Sequence, residues 1–379
     1  MDTAATRRLP IAPVAPPARR RLPLAASSRA VDRRARPILA VWELTLRCDH
    51  ACRHCSSRAG RARADELTTA EALRVVSELA DLGVLEVTLI GGEAYLRDDW
   101  LAIVRAIRAH DMECTMVTGG RGVDAELARA ARDAGIASVS VSVDGDEASH
   151  DALRGWRGSH GAALRAMEHL ARAGVQVSAN TQIGRKNRKD MPVVLEQAMN
   201  AGAHSWQVQI TVASGRVVDD PSLLLEPYHL LDVVPAVARL KARAAARDVR
   251  IWPGNNLGYC GPFEADLRCE VALGRKGSCS AGRATIGIEA NGAIKGCPSL
   301  PSEYVGGNVR DDALVDIWER GEALRFTRAP RTAELWGHCE GCYYADDCQG
   351  GCTWTAHSLL GRRGNNPYCH HRALELLAR

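Results

Sequence analysis

No apolar run in this 379-residue chain approaches the ~18 residues needed to cross a bilayer, so no membrane-spanning helix and no membrane partner are expected. Lysine is missing from residues 1–36, and acid there is limited to Asp2 and Asp32 beside nine arginines. That segment carries +7 in a chain of net charge +4, leaving −3 for everything after it. A remainder of that sign is no footprint for nucleic acid. Pro10, Pro13, Pro16, Pro17 and Pro23 interrupt any apolar stretch in the segment, so a secretory signal is not expected. Its Arg-rich, acid-poor composition also fits a transit peptide, but the expectation is a solvated, disordered tail over residues 1–36. The chain is therefore expected in the cytoplasm, a reducing compartment where clustered thiols bind metal or do chemistry rather than pair.

Cysteine is what the chain has in excess, at thirteen, within otherwise ordinary globular composition (46% apolar, 25% charged). Three lie between Cys48 and Cys55 and nine between Cys260 and Cys369. Cys114 stands apart in a strand-like stretch and reads as a small buried hydrophobe.

From Ile38 to about Ala245, short apolar strands alternate with helices. The strands read as Leu39–Leu46, Leu85–Ile90, Glu113–Thr118, Ser138–Val143, Val175–Gln182 and Trp206–Val212. A capping box, Thr68 with Glu71, opens a helix that stops at Gly83. Helices Asp124–Ala134, Ser159–Ala173 and Asp190–Ala201 follow the same scheme, with a polar N-cap and a glycine just past the end. Six βα units in a row predict a parallel sheet wrapped by helices, either a partial barrel or an open doubly wound sheet. Ligands then belong at the carboxyl ends of the strands. After Trp252 glycine and cysteine rise and helical periodicity fades. Ala284–Ile288, Asn291-Gly292 and Ala293–Cys297 read as a β-hairpin, and a domain boundary is expected near residue 250.

Cys48, Cys52 and Cys55 form C-x3-C-x2-C directly after the first strand. Three thiolates leave a tetrahedral zinc site one ligand short, although His50 or His54 could complete it. They also suit a four-iron cluster with one iron open for chemistry. On these residues the chain resembles the radical SAM superfamily, whose signature is this loop after strand one. Gly91-Gly92-Glu93, ending strand two, is similar to the family's GGE segment. The resemblance implies that it contacts the amino group of S-adenosylmethionine (SAM), with glycines admitting the methionyl moiety and the carboxylate accepting from its ammonium. Ser142, at the end of strand four, and Asn180, at the end of strand five, resemble family positions that touch the ribose or methionyl carboxylate. Strand six leads into a family-like turn at Gly215-Arg216. Strand three ends Thr118-Gly119-Gly120 where many relatives have Asn-Gly.

Downstream, Cys279 and Cys297 bracket Gly292, and Cys339, Cys342, Cys348, Cys352 and Cys369 complete a seven-cysteine array. Paired C-x2-C knuckles also occur in zinc ribbons, which leaves a zinc-stabilised interaction protein as a non-enzyme alternative. The full array resembles the SPASM extension of some radical SAM enzymes, and Gly307-Asn308 matches its usual turn. The resemblance implies a partial (β/α)6 TIM-like barrel over 37–250 and a cysteine-rich SPASM domain with a β-hairpin over 251–379. It assigns Cys339, Cys342, Cys348 and Cys369 to a distal auxiliary [4Fe–4S] cluster. Cys279, Cys297 and Cys352 go to a proximal one, with Cys269 or Cys260 as a candidate fourth ligand.

The chemistry so implied is reductive cleavage of SAM to a 5′-deoxyadenosyl radical, hydrogen abstraction from the substrate, and electron transfer to the auxiliary clusters. SPASM relatives act mostly on peptides or proteins, others on tetrapyrroles or aminoglycosides. The resemblance therefore implies a ribosomal peptide maturase, or the same chemistry on such a small molecule. Sulfatase maturases carry Cys-Asp where this chain has Cys297-Pro298, which counts against that activity. About 37 residues precede strand one, too few for a leader-binding domain, so a precursor peptide is expected to be recognised by a separate leader-binding protein or by the barrel itself. A one-electron donor such as flavodoxin or ferredoxin is an expected partner. No acid or base is identifiable; Glu303, Asp144 and Tyr95 are positions to test.

Overall fold

Alternating apolar positions along each predicted strand assemble into one ten-stranded sheet. The computed structural model describes residues 35–268, 278–329 and 332–378. Cys269, and all but the end of the expected tail over 1–36, lie outside these described residues. Seven parallel strands stand side by side in chain order. They are β1 (Leu39–Thr45), β2 (Glu86–Gly91), β3 (Glu113–Thr118), β4 (Ser138–Ser142), β5 (Gln176–Ile183), β6 (Ser205–Ile210) and β7 (Arg250–Pro253). On the other flank of β1, β8 (Thr285–Ile288) pairs parallel with it, Leu39 facing Thr285. Antiparallel β9 (Ala293–Lys295) and β10 (Gly307–Asn308) finish the sheet. The order β10-β9-β8-β1-β2-β3-β4-β5-β6-β7 leaves β7 at an edge, which is a partial barrel. Strand β7 escapes sequence reading because it is four residues long and ends in Pro253.

Helices α1 (Thr69–Asp81), α2 (Trp100–Ala109), α3 (Ala125–Ala134), α4 (Glu147–Arg154), α5 (Ser159–Arg172), α6 (Met191–Asn200) and α7 (Leu230–Ala245) connect the parallel strands. Shorter helices follow: α8 (Glu264–Arg268), α9 (Leu314–Arg320), α10 (Ala345–Cys348), α11 (Thr353–Leu360) and α12 (His370–Leu377). None of the described helices is long and apolar enough to cross a membrane.

The capping box of α1 forms as expected: Glu71 N donates to Thr68 Oγ1 and Thr68 N to Glu71 Oε2, at 3.3 and 2.7 Å. Asp124 likewise caps α3, accepting from the Glu126 and Leu127 amides. Two expected caps are corrected. Asp190 makes no cap hydrogen bond, and Ser159 is already helical, with Gly158 as the N-cap of α5. Asp151 of α4 takes over there, accepting from Gly158 N at 2.6 Å and His160 N at 2.8 Å.

One face of the barrel wall is apolar and dry. Trp42, Leu89, Met116, Val141, Ala179 and Trp206 are each at most 1% exposed. At ~1.5–3 kcal/mol for each large side chain, this layer holds the sheet to its helices. Cys114 belongs to it as expected, fully buried in β3. Residues of the opposite parity, Glu43, Ile90, Val117, Ser142 and Gln182, line clefts at the strands' carboxyl ends.

Candidate functional site

The loop after β1 carries Cys48, Cys52 and Cys55, and three neighbouring segments fix it. Gly60 N donates to Leu46 O and Cys48 N to Gly60 O, closing the loop on itself. Arg53 N donates to Leu153 O at the end of α4. From the turn after β6, Arg216 N donates to Cys55 O at 2.9 Å, and its guanidinium donates to Cys52 O and Ala59 O. Gly215 is required in that turn: its φ is +55°, and a Cβ would stand 2.2 Å from Cys55 O. The Gly215-Arg216 turn singled out in the sequence is thus a clamp on the cysteine loop.

Each loop sulfur receives one donor: His50 N to Cys48 at 3.4 Å, Ala59 N to Cys55 at 3.4 Å, and Arg154 Nη1 to Cys52 at 3.6 Å. Burial pushes the Cys48 thiol up to about 12, with the Glu93 charge adding to it. Burial also raises Cys52, against the opposing Arg154 guanidinium. Left alone these buried thiols stay protonated. A bound cationic centre converts them to thiolates, and the N–H donors then stabilise the sulfur charge. The donor set therefore fits an iron–sulfur cluster. His50 and His54, the candidate zinc ligands, each place one ring nitrogen on a carboxylate: Nδ1 on Asp49 at 2.8 Å and Nε2 on Asp144 at 3.1 Å.

The end of β2 lies directly beneath the loop. A Cβ on Gly91 or Gly92 would come within 2.1 Å of Thr45 O or Arg47 O respectively. Glu93 is 3% exposed, and burial raises its carboxyl above the usual range. Thr118 Oγ1 and Gly119 N donate to it at 2.5 and 2.7 Å, which gives the end of β3 a role the sequence left open. A cleft of about 140 Å3 brings together Cys48, Cys52, Cys55, Gly91, Gly92, Glu93 and Ser142. Asn180 is not on its wall; its Oδ1 accepts from Gln209 Nε2 at 3.0 Å. Gln182, two residues further along β5, and Arg154 do line the cleft, and sequence reasoning missed both. Of the three test positions, Tyr95 donates to Asp49 Oδ2 at 3.3 Å, and Asp144 is buried beside His54 and Arg154. Glu303 is largely exposed, 4.0 Å from His357.

A second cleft, of about 290 Å3, opens between the mouth of the barrel and the β8–β9 hairpin. Ser56, Ser57 and Ile90 border both clefts. Its cations, Arg63 and Lys295, both pair with Glu289, and Lys295 also donates to Leu300 O at 2.6 Å. Glu43 on β1 is 6% exposed, and its Oε1 has no hydrogen-bond partner among the described residues; Arg63 Nη2 stands 4.0 Å away. Burial raises the Glu43 carboxyl, opposed by the Ser57 hydroxyl.

The downstream cysteines fall into two neighbourhoods. Cys279 and Cys297 pack on Ala281, Leu300 and Phe326, and both raise the thiol of Cys352, which burial above all pushes up to about 12. Cys339, Cys342, Cys348 and Cys369 act on one another, with burial pushing Cys348 to about 12 and Cys369 to about 11. Cys260 is fully buried beside the second group, not the first. Tyr259 O accepts from His370 N, and after burial and the Arg268 and Glu264 charges, Cys369 also bears on the Cys260 thiol. Among the described residues every cysteine is free of a disulfide.

Residues 42–198 match the model of the radical SAM superfamily, and residues 279–343 match that of the SPASM iron–sulfur cluster-binding domain. Mycofactocin maturase MftC of Mycobacterium ulcerans is 30% identical over 83% of this chain and 83% of its own. The chain is a radical SAM enzyme with a C-terminal SPASM domain. An AdoMet-dependent heme synthase of Methanosarcina barkeri is 29% identical over 89% of this chain and 97% of its own. The fold matches that of Streptococcus suis SuiB bound to S-adenosylmethionine, with TM-score 0.69 and 18% identity over 88% of this chain and 76% of that one. It also matches anSMEcpe with bound AdoMet, with TM-score 0.70 and 15% identity over 90% and 96%. The cofactors of this radical SAM enzyme are S-adenosylmethionine and [4Fe–4S] clusters.

Proposed function

We propose that this enzyme oxidises a side chain of a peptide or protein, as a ribosomal peptide maturase. The observation that carries the reading is the second cleft. Both of its cations are held by Glu289, and the buried polar atoms on its wall without a hydrogen-bond partner among the described residues are Glu43 Oε1, an acceptor, and Ser214 Oγ. Such a cleft suits the N–H and O–H donors of a peptide. A carboxylate-rich tetrapyrrole needs cations free to meet it. Ser56, Ser57 and Ile90 form the shared wall, so a substrate in the second cleft lies next to the cysteine-loop cleft.

In this reading Cys48, Cys52 and Cys55 hold the SAM-binding cluster, and Gly91, Gly92, Glu93 and Ser142 bind SAM, with Asn180 set back from the cleft wall on Gln209. Cys339, Cys342, Cys348 and Cys369 hold the distal auxiliary cluster. Cys279, Cys297 and Cys352 hold the proximal one, with Cys269 as the candidate fourth ligand. The radical SAM core occupies 37–250 and the SPASM domain 251–379. When bound, these groups supply radical hydrogen abstraction and one-electron transfer. The chain's own residues orient what reacts. The glycines admit SAM to the loop, Glu93 accepts its ammonium, and Glu43 takes a donor of the substrate. A separate leader-binding protein, a flavodoxin or ferredoxin donor and a cytoplasmic setting complete the proposal.

The test is anaerobic co-expression with each short reading frame that flanks the gene, followed by mass spectrometry. A peptide that loses two hydrogens, with 5′-deoxyadenosine formed in step, supports the reading. Turnover of a carboxylated tetrapyrrole with every peptide unaltered overturns it.

A further inference from the structure

The last helix carries ligating side chains that the radical chemistry does not use. His371 and Glu375 stand one turn apart on α12, so both project from the same face. His338 meets them from the turn Gly337–Cys339. Its Nε2 lies 3.4 Å from Glu375 Oε2, and His371 Nε2 lies 3.4 Å from Glu375 Oε1. One ligand atom from each residue falls within 4.8 Å of the other two, and among the described residues no cysteine sulfur joins the group.

These separations distinguish two arrangements. A charge-assisted N–H···O bond draws its atoms to about 2.7–2.9 Å. Donor atoms held at about 2.0–2.2 Å by a tetrahedral ion instead stand about 3.3–3.6 Å from one another. Both contacts fall in the second range. Each carboxylate oxygen faces a different imidazole, so Glu375 gathers both Nε2 atoms around one acid.

The surrounding residues hold this arrangement in place. His338 N donates to Asn365 Oδ1 at 3.1 Å, and Arg372 Nη1 of α12 donates to the same oxygen at 3.0 Å. Gly337 permits that approach: its φ is +57°, and a Cβ would stand 2.6 Å from Asn365 Nδ2. The His371 ring stands edge-on to Tyr344 and Tyr259, with centroids 4.9 and 6.3 Å away. The two imidazole side chains are 15% and 19% exposed and the carboxylate 45%, which leaves a further coordination place open to water.

We propose that His338, His371 and Glu375 bind one divalent transition-metal cation of the zinc type. Two imidazoles and a carboxylate suit zinc, whereas calcium and magnesium take oxygen ligands. An ion there joins α12 to the turn Gly337–Cys339, the segments that begin at Cys369 and end at Cys339, and so braces that thiol group from outside it. The inference stands apart from the substrate and from the assignment of the cysteines.

The test is zinc binding by the reconstituted holoenzyme in chelator-buffered zinc, with zinc and iron counted together by elemental mass spectrometry after free ion is removed. About one zinc per chain binds at micromolar free zinc, at full iron content, and raises the melting midpoint. Glu375→Gln and His371→Ala each weaken that binding about tenfold or more with iron unchanged. No zinc bound at micromolar free ion overturns the proposal. So does zinc held equally by wild type and both variants, or zinc that enters only as iron leaves, because thiols then hold it. If His371→Ala does not assemble its clusters, Glu375→Gln, at its half-exposed position, decides alone: wild-type zinc affinity at full iron content overturns the proposal.

Discussion

Thr118 Oγ1 donates to Glu93 Oε2 at 2.5 Å, so the end of β3 aims the acid that closes the glycine segment of β2. Gly119 N takes the other oxygen at 2.7 Å. The carboxylate is thus oriented before any ligand arrives, and both donors favour its ionised form against the cost of burial. A hydrogen bond to a charged group contributes about 1.5–3 kcal/mol. Thr118→Val removes one such bond while keeping the side chain's shape. It is expected to weaken SAM binding by about tenfold in equilibrium dialysis of the holoenzyme. Unchanged affinity would place the ammonium away from Glu93.

Gly92 is the tightest point between β2 and the cysteine loop. A Cβ there would meet Arg47 O at 2.1 Å and the Cys48 Cβ at 2.9 Å. The first of these is backbone and cannot rotate away, so Gly92→Ala must displace the loop itself. The expected result is loss of the loop cluster alone, about four irons of roughly twelve, with the auxiliary clusters retained. Iron analysis together with the SAM-responsive EPR signal checks it.

Cys260 divides the two readings of the proximal ligand set. It is fully buried next to Cys369, and its neighbours Glu264 and Arg268 form an ion pair at 2.9 Å. The group containing Cys369 already has four thiols. Cys260→Ala is therefore expected to leave iron content unchanged, whereas Cys352→Ala lowers it. Loss of about four irons from Cys260→Ala would make it a ligand after all.

What could be read from the sequence was local. The C-x3-C-x2-C loop, the glycines after β2, the Thr68 capping box and the Asn291-Gly292 hairpin are each written within a few neighbouring residues. The structure forms every one of these elements where its residues stand. What stayed hidden depends on distance along the chain. Arg154 reaches Cys52 across 102 positions, and Arg216 reaches it across 164. Nothing in a helix-terminal arginine announces such a target. Asn180 and Gln182 share one face of β5, so period-two reasoning finds the face but not which of the two reaches the cleft. Cys260 looked equivalent to Cys269 because spacing alone does not say which turn a thiol folds against.

Glu43 is the second carboxyl kept dry at a cleft, and its cost depends on pH. Burial raises its folded-state pKa above the ordinary 4.5, with Ser57 and Arg63 opposing. Between the unfolded and folded values the native chain holds more protons than the unfolded chain, so stability falls as pH rises through that window. Below the window the acid is neutral in both states and costs little. Above it the native fold carries an ionised, desolvated carboxylate whose Oε1 has no hydrogen-bond partner among the described residues. Glu43→Gln keeps the volume and removes the charge. It is expected to raise stability by about 1 kcal/mol near pH 8, a shift of roughly 2 °C in the melting midpoint, with a smaller gain near pH 5. Thermal unfolding of both proteins at the two pH values checks the sign. A gain that does not grow with pH would mean that Glu43 is fully compensated in the fold and not waiting for a donor from outside it.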